Sequence, residues 1–298
     1  MTGLKWTRRT TEKIAKELKN HQDIHVSANT VGRLLTEMDF SLRVNHKKLS
    51  SGSQADRSER DEQFNYIAKV KEEFVGSGHP VVSVDTKKKE MVGNFKNAGT
   101  SWTKEPILVK DHDFRSEAVG MAVPYSLYDV QLNRGSVFVG MSSDTAEFAV
   151  DSIERWWSSE GINSYPSADH LLILADGGGS NAVRNRAWKF NLQEKLCDRH
   201  NIAVTVCHYP TGASKWNPVE HRLLSEISKN WAGRPLDSYK TIINYIRTTK
   251  TTTGLTVNAR LVKKTYKTGI KILDEEMASL SLHPHDTQPK RNYTLRPR

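Results

Sequence analysis

Two short apolar runs in this chain, residues 81–85 and 171–176, each close on an aspartate. Short apolar runs bounded by polar residues are typical of buried strands. A third acid, Glu220, follows an Asn-Pro pair, which is typical of the first turn of a helix. The sequence therefore predicts a mixed α/β fold in which two strands and one helix each present a carboxylate.

Carboxylates in that arrangement are the ligands that a pair of divalent cations needs. Two ions about 3.5–4 Å apart require several hard oxygen ligands, and Asp and Glu supply them. We therefore interpret Asp85, Asp176 and Glu220 as catalytic and metal-binding residues. Each has a structural alternative, because an aspartate after a strand is often a turn former and Asn217 with Glu220 fits a capping box. Glu226 is a competing carboxylate.

Three glycines follow Asp176 and permit two interpretations. Glycine lets a metal or a nucleic-acid backbone approach the chain closely. Residues 177–182 also fit the dinucleotide fingerprint, but residues 202–208, the next predicted strand, do not end in the acid that this fold requires. A zinc site is disfavoured too, because two of its candidate ligands are strand neighbours that point to opposite faces. Those candidates are Cys197, His200, Cys207 and His208.

Charge is distributed unevenly along the 298 residues. Residues 1–50 carry ten Lys/Arg against five Asp/Glu, residues 51–220 nineteen against twenty-three, and residues 221–298 fifteen against six. Basic flanks neutralise phosphates, whereas an acidic centre holds cations. The distribution favours DNA as a partner, and an ordinary soluble basic surface is the alternative.

Composition argues against two classes of protein. No apolar run approaches the ~20 residues of a membrane span, and the first residues lack the apolar core of a signal peptide. Two cysteines are too few for a disulfide scaffold. We therefore expect a cytoplasmic protein.

Hydrophobic spacing predicts two helices near the N-terminus. The first covers residues 10–20, and the second follows Ser27 as its cap. The buried stripe of the second helix is predicted to consist of Val31, Leu34, Leu35 and Met38. Its open face, a candidate DNA-binding surface like that of a helix-turn-helix unit, carries Asn29, Thr30 and Arg33. A plain helical hairpin is the alternative, because the connection is longer than usual.

The remaining chain alternates between strands and helices. Residues 122–131 and 136–141 flank a predicted hairpin turn, and Asp144 with Glu147 predicts the start of a helix. Strand, hairpin, strand, helix, strand, helix, strand, helix is the order of RNase H-like domains. We therefore expect an RNase H-like mixed β-sheet flanked by helices, with a small N-terminal helical segment resembling part of a helix-turn-helix.

These patterns divide the chain into four predicted segments. They are a partial helical DNA-binding segment (1–43), a polar linker (44–58), a catalytic domain (59–245) and a basic C-terminal extension (246–298).

Further DNA contacts are predicted next to the acids. Lys87 and Lys88 come just after the first acid, and Lys215 and Trp216 come shortly before the third. Lysines there can bind phosphate, and a tryptophan can stack on a base. The alternative is that the lysines are solvated and the tryptophan belongs to the core.

Long strings of this sequence resemble a known family. Residues 81–99, 171–181, 206–236 and 292–298 resemble the Rhodopirellula-type DDE transposases of bacterial insertion sequences. The resemblance extends over almost the whole chain from about Lys5. Residues 217–220 are also similar to the Asn-Pro-x-Glu of mariner-like transposases, in which the glutamate is the third catalytic acid.

The resemblance implies a DDE transposase that cleaves DNA and transfers its strands, with Asp85, Asp176 and Glu220 as the triad. It implies two Mg²⁺ ions, for which Mn²⁺ can substitute, and double-stranded DNA partners, namely terminal inverted repeats and target DNA. It also implies a homo-oligomer in the DNA complex and a place in the bacterial nucleoid. Family members begin with a longer DNA-binding segment, so we expect a truncated or decayed copy, or a start codon chosen too late. The alternatives are an inactive DNA-binding remnant and an RNase H-like nuclease without strand transfer.

Overall fold

The computed structural model describes residues 9–42 and 54–298, and the contacts divide the chain into two units, Met1–Gly52 and Ser53–Arg298. The described helices are α1 (Thr11–Gln22), α2 (Ala28–Glu37), α3 (Gln54–Gly76), α4 (Ala146–Trp156), α5 (Ile162–Ser164), α6 (Arg186–Leu192), α7 (Asp198–His200), α8 (Ser225–Asn230), α9 (Tyr239–Arg247) and α10 (Asp274–Ala278). The described strands are β1 (Val81–Thr86), β2 (Glu90–Val92), β3 (Gly120–Asp129), β4 (Arg134–Gly140), β5 (His170–Ala175), β6 (Ala203–His208), β7 (Thr256–Val262), β8 (Leu282–Pro284) and β9 (Asn292–Leu295).

The N-terminal unit contains both predicted helices. The Ser27 hydroxyl caps α2 by accepting the backbone N–H three residues on at 3.1 Å, as predicted. The predicted buried stripe is wrong, because Val31 is buried but Leu34 and Met38 are 41% and 60% exposed. Among the described residues of this unit, α2 has only α1 as a neighbouring helix, and one helix covers only part of such a stripe.

Within residues 54–298, nine strands form one sheet in the order β7-β4-β3-β1-β5-β6-β9-β8, with β2 paired to β3. β1, β5 and β6 are parallel, and β3 is antiparallel to β1 and β4. β3 and β4 form the predicted hairpin. The central order β4-β3-β1-β5-β6, with β3 reversed, is that of an RNase H-like sheet, so the predicted fold class is confirmed.

Helices cover both faces of this sheet. α4 and α6 pack on one face through Phe148 and Trp188. α3, α8 and α9 pack on the other, the latter two through Ile227 and Ile242. None of the described helices is both long and apolar enough to cross a membrane.

Two predicted boundaries differ from the structure. The linker predicted over 44–58 ends earlier, since α3 already begins at Gln54, and residues 44–53 lie outside the described part of the chain. Residues 246–298 form no separate extension, because β7 lies beside β4 and β9 lies beside β6. In β7, buried Val257 and Ala259 alternate with exposed residues, as in a half-buried strand.

Candidate active site

Asp85 and Asp176 lie at the same edge of the sheet. β1 and β5 are parallel neighbours in register, so the residues at their carboxyl ends meet there. The backbone N–H of Thr86 donates to Asp85 Oδ1 at 2.7 Å, and the backbone N–H of Gly178 donates to Asp176. Open α/β sheets place their ligands outside the carboxyl ends of such strands.

A buried polar network holds the segment before Glu220 against β1. The Asn217 side chain is fully buried, and its Nδ2 donates to a β1 carbonyl oxygen at 3.1 Å. The Ser83 hydroxyl donates to Asn217 Oδ1 and accepts the backbone N–H of Val219 at 2.9 Å. This network fixes the beginning of the helical segment, where a π-helical turn starts at Glu220.

Glu220, rather than Glu226, is brought to the aspartates. The Glu220 and Asp85 carboxyl groups form a hydrogen bond. Asn217 directs its side chain to β1 and not to its own helix, so the alternative capping box is not formed. The Glu226 carboxylate instead lies 2.6 Å from the ammonium of Lys229.

The surroundings of the two aspartates shift the pKa of each carboxyl group. Burial, the charge of Asp176 and the interactions with Glu220 raise the pKa of Asp85 to about 8, although the Thr86 N–H lowers it. Burial and the charges of Glu220 and Asp144 also raise the pKa of Asp176. Clustered carboxylates favour the protonated form because their charges repel. The cluster is therefore suited electrostatically to a divalent cation.

The donor set fits Mg²⁺ or Mn²⁺ in chemistry, but the described side chains are not yet arranged around an ion. Among residues 9–42 and 54–298, no three Asp, Glu, His or Cys side chains converge closely enough to hold a metal as they stand. Asp85 and Asp176 line a cavity of about 320 Å³ with hard carboxylate oxygens. Because the pKa of Asp85 is raised, an incoming ion competes with a proton on this carboxyl group.

A fourth carboxylate, Asp144, stands at the same edge of the sheet. Asp144 and Glu147 predicted the start of a helix, and α4 begins at Ala146 with the Thr145 hydroxyl as its cap, which accepts the backbone N–H three residues on at 3.2 Å. Asp144 Oδ1 instead accepts a hydrogen bond from the Thr86 hydroxyl at 3.2 Å. Asp144 also lines the cavity that Asp85 and Asp176 line.

The two lysines after the first acid have different surroundings. The Lys87 ammonium lies 3.0 Å from Glu90 and 4.6 Å from the centre of the Trp231 ring, and its side chain is 10% exposed. Lys88 is exposed and lines the cavity beside Asp85. Of the two, Lys88 has the freer side chain for a ligand.

Lys215 and Trp216 lie in a 3₁₀ turn before Glu220. Trp216 is 55% exposed, its ring lies edge-on to Phe64 with centroids 6.0 Å apart, and the Lys215 ammonium lies 5.0 Å from its centre. One side of the indole is thus packed, and the remainder faces solvent.

The three predicted DNA-contact residues of α2 lie in its first two turns. Asn29 and Arg33 are exposed. The Thr30 hydroxyl lies 2.9 Å from that of Ser27, and Arg33 pairs with Glu37 at 3.1 Å. Their contacts within the helix are therefore local ones.

The two alternative ligand sites are not formed. Cys197 and Cys207 are buried in separate hydrophobic clusters, and both ring nitrogens of His208 lie within 3.0 Å of backbone carbonyl oxygens. These residues therefore do not converge on one ion. After Asp176 the chain makes a 3₁₀ turn, Gly179–Asn181, rather than the helix that a dinucleotide site requires.

The chain is similar to the Mos1 transposase paired-end complex with left transposon end at 16% identity and a TM-score of 0.47, covering 83% of this chain and 72% of that one. It is also similar to the Mos1 strand transfer complex, at 16% identity and a TM-score of 0.47, covering 80% of this chain and 65% of that one. Its similarity to the mariner Mos1 paired end complex with Mg has 14% identity and a TM-score of 0.48, with the same two coverages. No curated protein matches. The family model described as the Rhodopirellula transposase DDE domain matches residues 1–297.

Proposed function

The chain belongs to the Rhodopirellula transposase DDE domain family and is a DDE transposase, and we propose that Asp85, Asp176 and Glu220 are its catalytic acids. The observation that carries this proposal is their position at one sheet edge, where burial, the charge of Asp176 and the interactions with Glu220 raise the pKa of Asp85 to about 8. Strongly perturbed carboxyl groups beside a cavity are typical of functional sites.

We propose that the substrate is double-stranded DNA carrying the ends of an insertion sequence. In cleavage, a water oxygen bonds to phosphorus while the P–O3′ bond breaks and frees a 3′-hydroxyl. In strand transfer, that hydroxyl attacks a phosphodiester of target DNA and displaces another 3′ oxygen, so one phosphodiester bond forms as one breaks.

The three acids are proposed to hold two Mg²⁺ or Mn²⁺ ions. When bound, such ions activate the attacking oxygen and stabilise the leaving oxygen. The protein contributes position, because the Ser83–Asn217 network fixes the start of the Glu220 helix against the strand that carries Asp85. Asp85 must also give up its proton before it can serve as an anionic ligand.

The DNA path is proposed to run over both sides of this edge. Exposed Lys88 and Lys215 would bind phosphates, and Trp216 would stack on a base. Trp216 also lines a cleft of about 510 Å³ whose other residues include Lys71 and Arg222, which supports a path for a polyanion. Lys87 would support this surface through Glu90 and Trp231.

Residues 1–43 are proposed to bind the terminal repeats through Asn29, Thr30 and Arg33 of α2. An insertion sequence has two ends and each copy of residues 54–298 has one such acidic edge, so we propose that at least two copies act together in the DNA complex. Their place of action would be the bacterial nucleoid.

The test is to incubate the purified chain with labelled DNA carrying the element's ends, unlabelled target DNA, and Mg²⁺ or Mn²⁺, beside the Asp176→Ala variant. We expect cleaved and joined products from the wild type, and DNA binding without cleavage from the variant. Cleavage without joining would favour a nuclease, and binding without cleavage by the wild type would favour an inactive remnant. Equal cleavage by both proteins would refute the assignment of Asp176.

A further inference from the structure

Asp144 is an acid at this edge for which the proposed triad has no role. It lies one residue before the Thr145 cap of α4 and is half-buried. Thr86, its hydrogen-bond partner, and Asp85, the partner of Glu220, are successive residues of β1. Because successive strand residues point to opposite faces, Asp144 approaches the cavity from the side opposite Glu220.

The charge of Asp144 is not compensated by a basic side chain among the described residues. Two other acids of the same helix, Glu147 and Asp151, each pair with both Lys195 and Lys264 at 2.6–3.1 Å. No ion pair within residues 9–42 and 54–298 includes Asp144. Its polar contact there is the neutral Thr86 hydroxyl, which also lies 3.4 Å from the Ser180 hydroxyl.

We propose that Asp144 is a further metal ligand of this site, which would contact a bound ion from the side of the cavity opposite Glu220. The inference rests on the proposed function, because the ion is the one that the strand-cleavage reaction requires. The three aspartates line one cavity of about 320 Å³, so their side chains border one space that a divalent ion can enter. With Asp144 the site has four carboxylates, which balance the charge of two divalent ions.

A purely structural role for Asp144 makes a different prediction. In that case its oxygen serves only to hold Thr86 and the beginning of α4 together. Asp144→Asn keeps an acceptor oxygen for the Thr86 hydroxyl and removes only the charge, whereas Thr86→Val removes the hydroxyl and keeps the charge. The two variants therefore separate metal binding from the hydrogen bond.

The experiment is a calorimetric titration of the full chain with Mn²⁺, together with melting curves in EDTA. We expect Asp144→Asn to weaken Mn²⁺ binding by roughly 10–100-fold or more, since loss of a group that only supports a metal ligand already costs that much, and Thr86→Val to weaken it far less. In EDTA, Asp144→Asn should melt at the wild-type temperature or above, because one of the repelling charges is gone.

Asp237→Asn is the matched control. Asp237 also lies one residue before a capping residue, Ser238 of α9, but it is exposed and does not line the cavity of the three aspartates. Asp237→Asn also removes a charge beside a helix N-terminus, but it removes no proposed ligand. The affinity of this variant for Mn²⁺ should therefore equal that of the wild type.

The Asp85→Asn variant distinguishes failure of the Asp144 proposal from failure of the proposed metal site as a whole. Loss of binding in Asp85→Asn with wild-type binding in Asp144→Asn overturns the role of Asp144 and leaves the triad in place. Wild-type binding in both variants, or no saturable binding by the wild type, overturns the proposed metal site as well. Weaker Mn²⁺ binding by Asp144→Asn that is accompanied by a lower melting temperature in EDTA overturns the ligand role in favour of the structural one.

Discussion

The acidic edge of the sheet and the surface of α2 differ in what holds their side chains. At the acidic edge, buried hydrogen bonds join distant parts of the chain, as between Ser83 and Asn217. On α2, the contacts lie within one helical turn, as between Arg33 and Glu37. Chemistry at phosphorus requires reacting groups held within a fraction of an ångström, whereas exposed side chains can adapt to DNA as it binds. The difference separates groups suited to catalysis from groups suited to recognition.

The largest expected effect is at Glu220, and Glu226 of the same helical segment serves as the comparison. Glu220→Gln keeps the size of the side chain and removes the charge beside Asp85, so we expect DNA cleavage to fall by roughly 10³-fold or more, as when a catalytic group is lost elsewhere. Glu226→Gln should change the rate by less than about twofold, because its pair with Lys229 is solvent-accessible. Single-turnover cleavage of end-labelled DNA measures both, and similar losses would mean that the helix matters more than the Glu220 carboxylate.

The next effect concerns the buried network itself. Asn217→Ala removes the partner of the Ser83 hydroxyl and of a β1 carbonyl, and each buried polar group left alone costs about 1–3 kcal/mol. The free energy of unfolding should fall accordingly, and cleavage should fall with it because Glu220 loses its support.

Arg33→Ala is the comparison on α2. Its exposed pair with Glu37 should contribute less than about 1 kcal/mol. Urea unfolding of both variants provides the measurement. A large loss for Arg33→Ala, or none for Asn217→Ala, would remove the proposed distinction between the two regions.

The raised pKa of Asp85 gives the acidic edge a dependence on pH. The folded, metal-free chain keeps a proton on Asp85 up to about pH 8, whereas the unfolded chain releases it near pH 4. The folded form thus binds more protons between these values, and this contribution to stability is lost as pH rises towards and through 8. In EDTA, the melting temperature should fall from pH 6 to pH 9 more steeply for the wild type than for Asp85→Asn.

The affinity of the wild type for Mn²⁺ should change in the opposite sense. A metal competes with the proton on Asp85, so binding should strengthen as pH rises to about 8 and then level off. Calorimetry in buffers of different ionisation enthalpy should detect the released proton. Affinity that does not vary between pH 6 and pH 8 would contradict a proton shared within the acid cluster.

Local patterns in the sequence predicted the strands that carry Asp85 and Asp176, because apolar runs that end in an acid need no distant contact to be recognised. The contact of Ser83 with Asn217 was not predictable, since it joins residues 134 positions apart. The start of α4 was predictable from Asp144 and Glu147, but its cap was not, because Asp144 and Thr145 both have the chemistry of a cap. The contact of Asp144 with Thr86 of β1 was not predictable either, because it joins distant parts of the chain. The strand β7 was missed because its place beside β4 depends on the closed fold.

The smallest expected effect concerns two neighbouring lysines of one loop, of which one is exposed and the other is packed. Lys88 is exposed, so Lys88→Ala should reduce the slope of log affinity against log salt by about one, as for a single phosphate contact, and leave stability unchanged. Lys87 is packed against Trp231 and paired with Glu90, so Lys87→Ala should lower the melting temperature and leave the slope nearly unchanged. Fluorescence anisotropy at several salt concentrations, with melting curves, separates the two outcomes. The reverse pattern would mean that Lys87 leaves its packed position to bind DNA, and that fixed side chains also contribute to recognition.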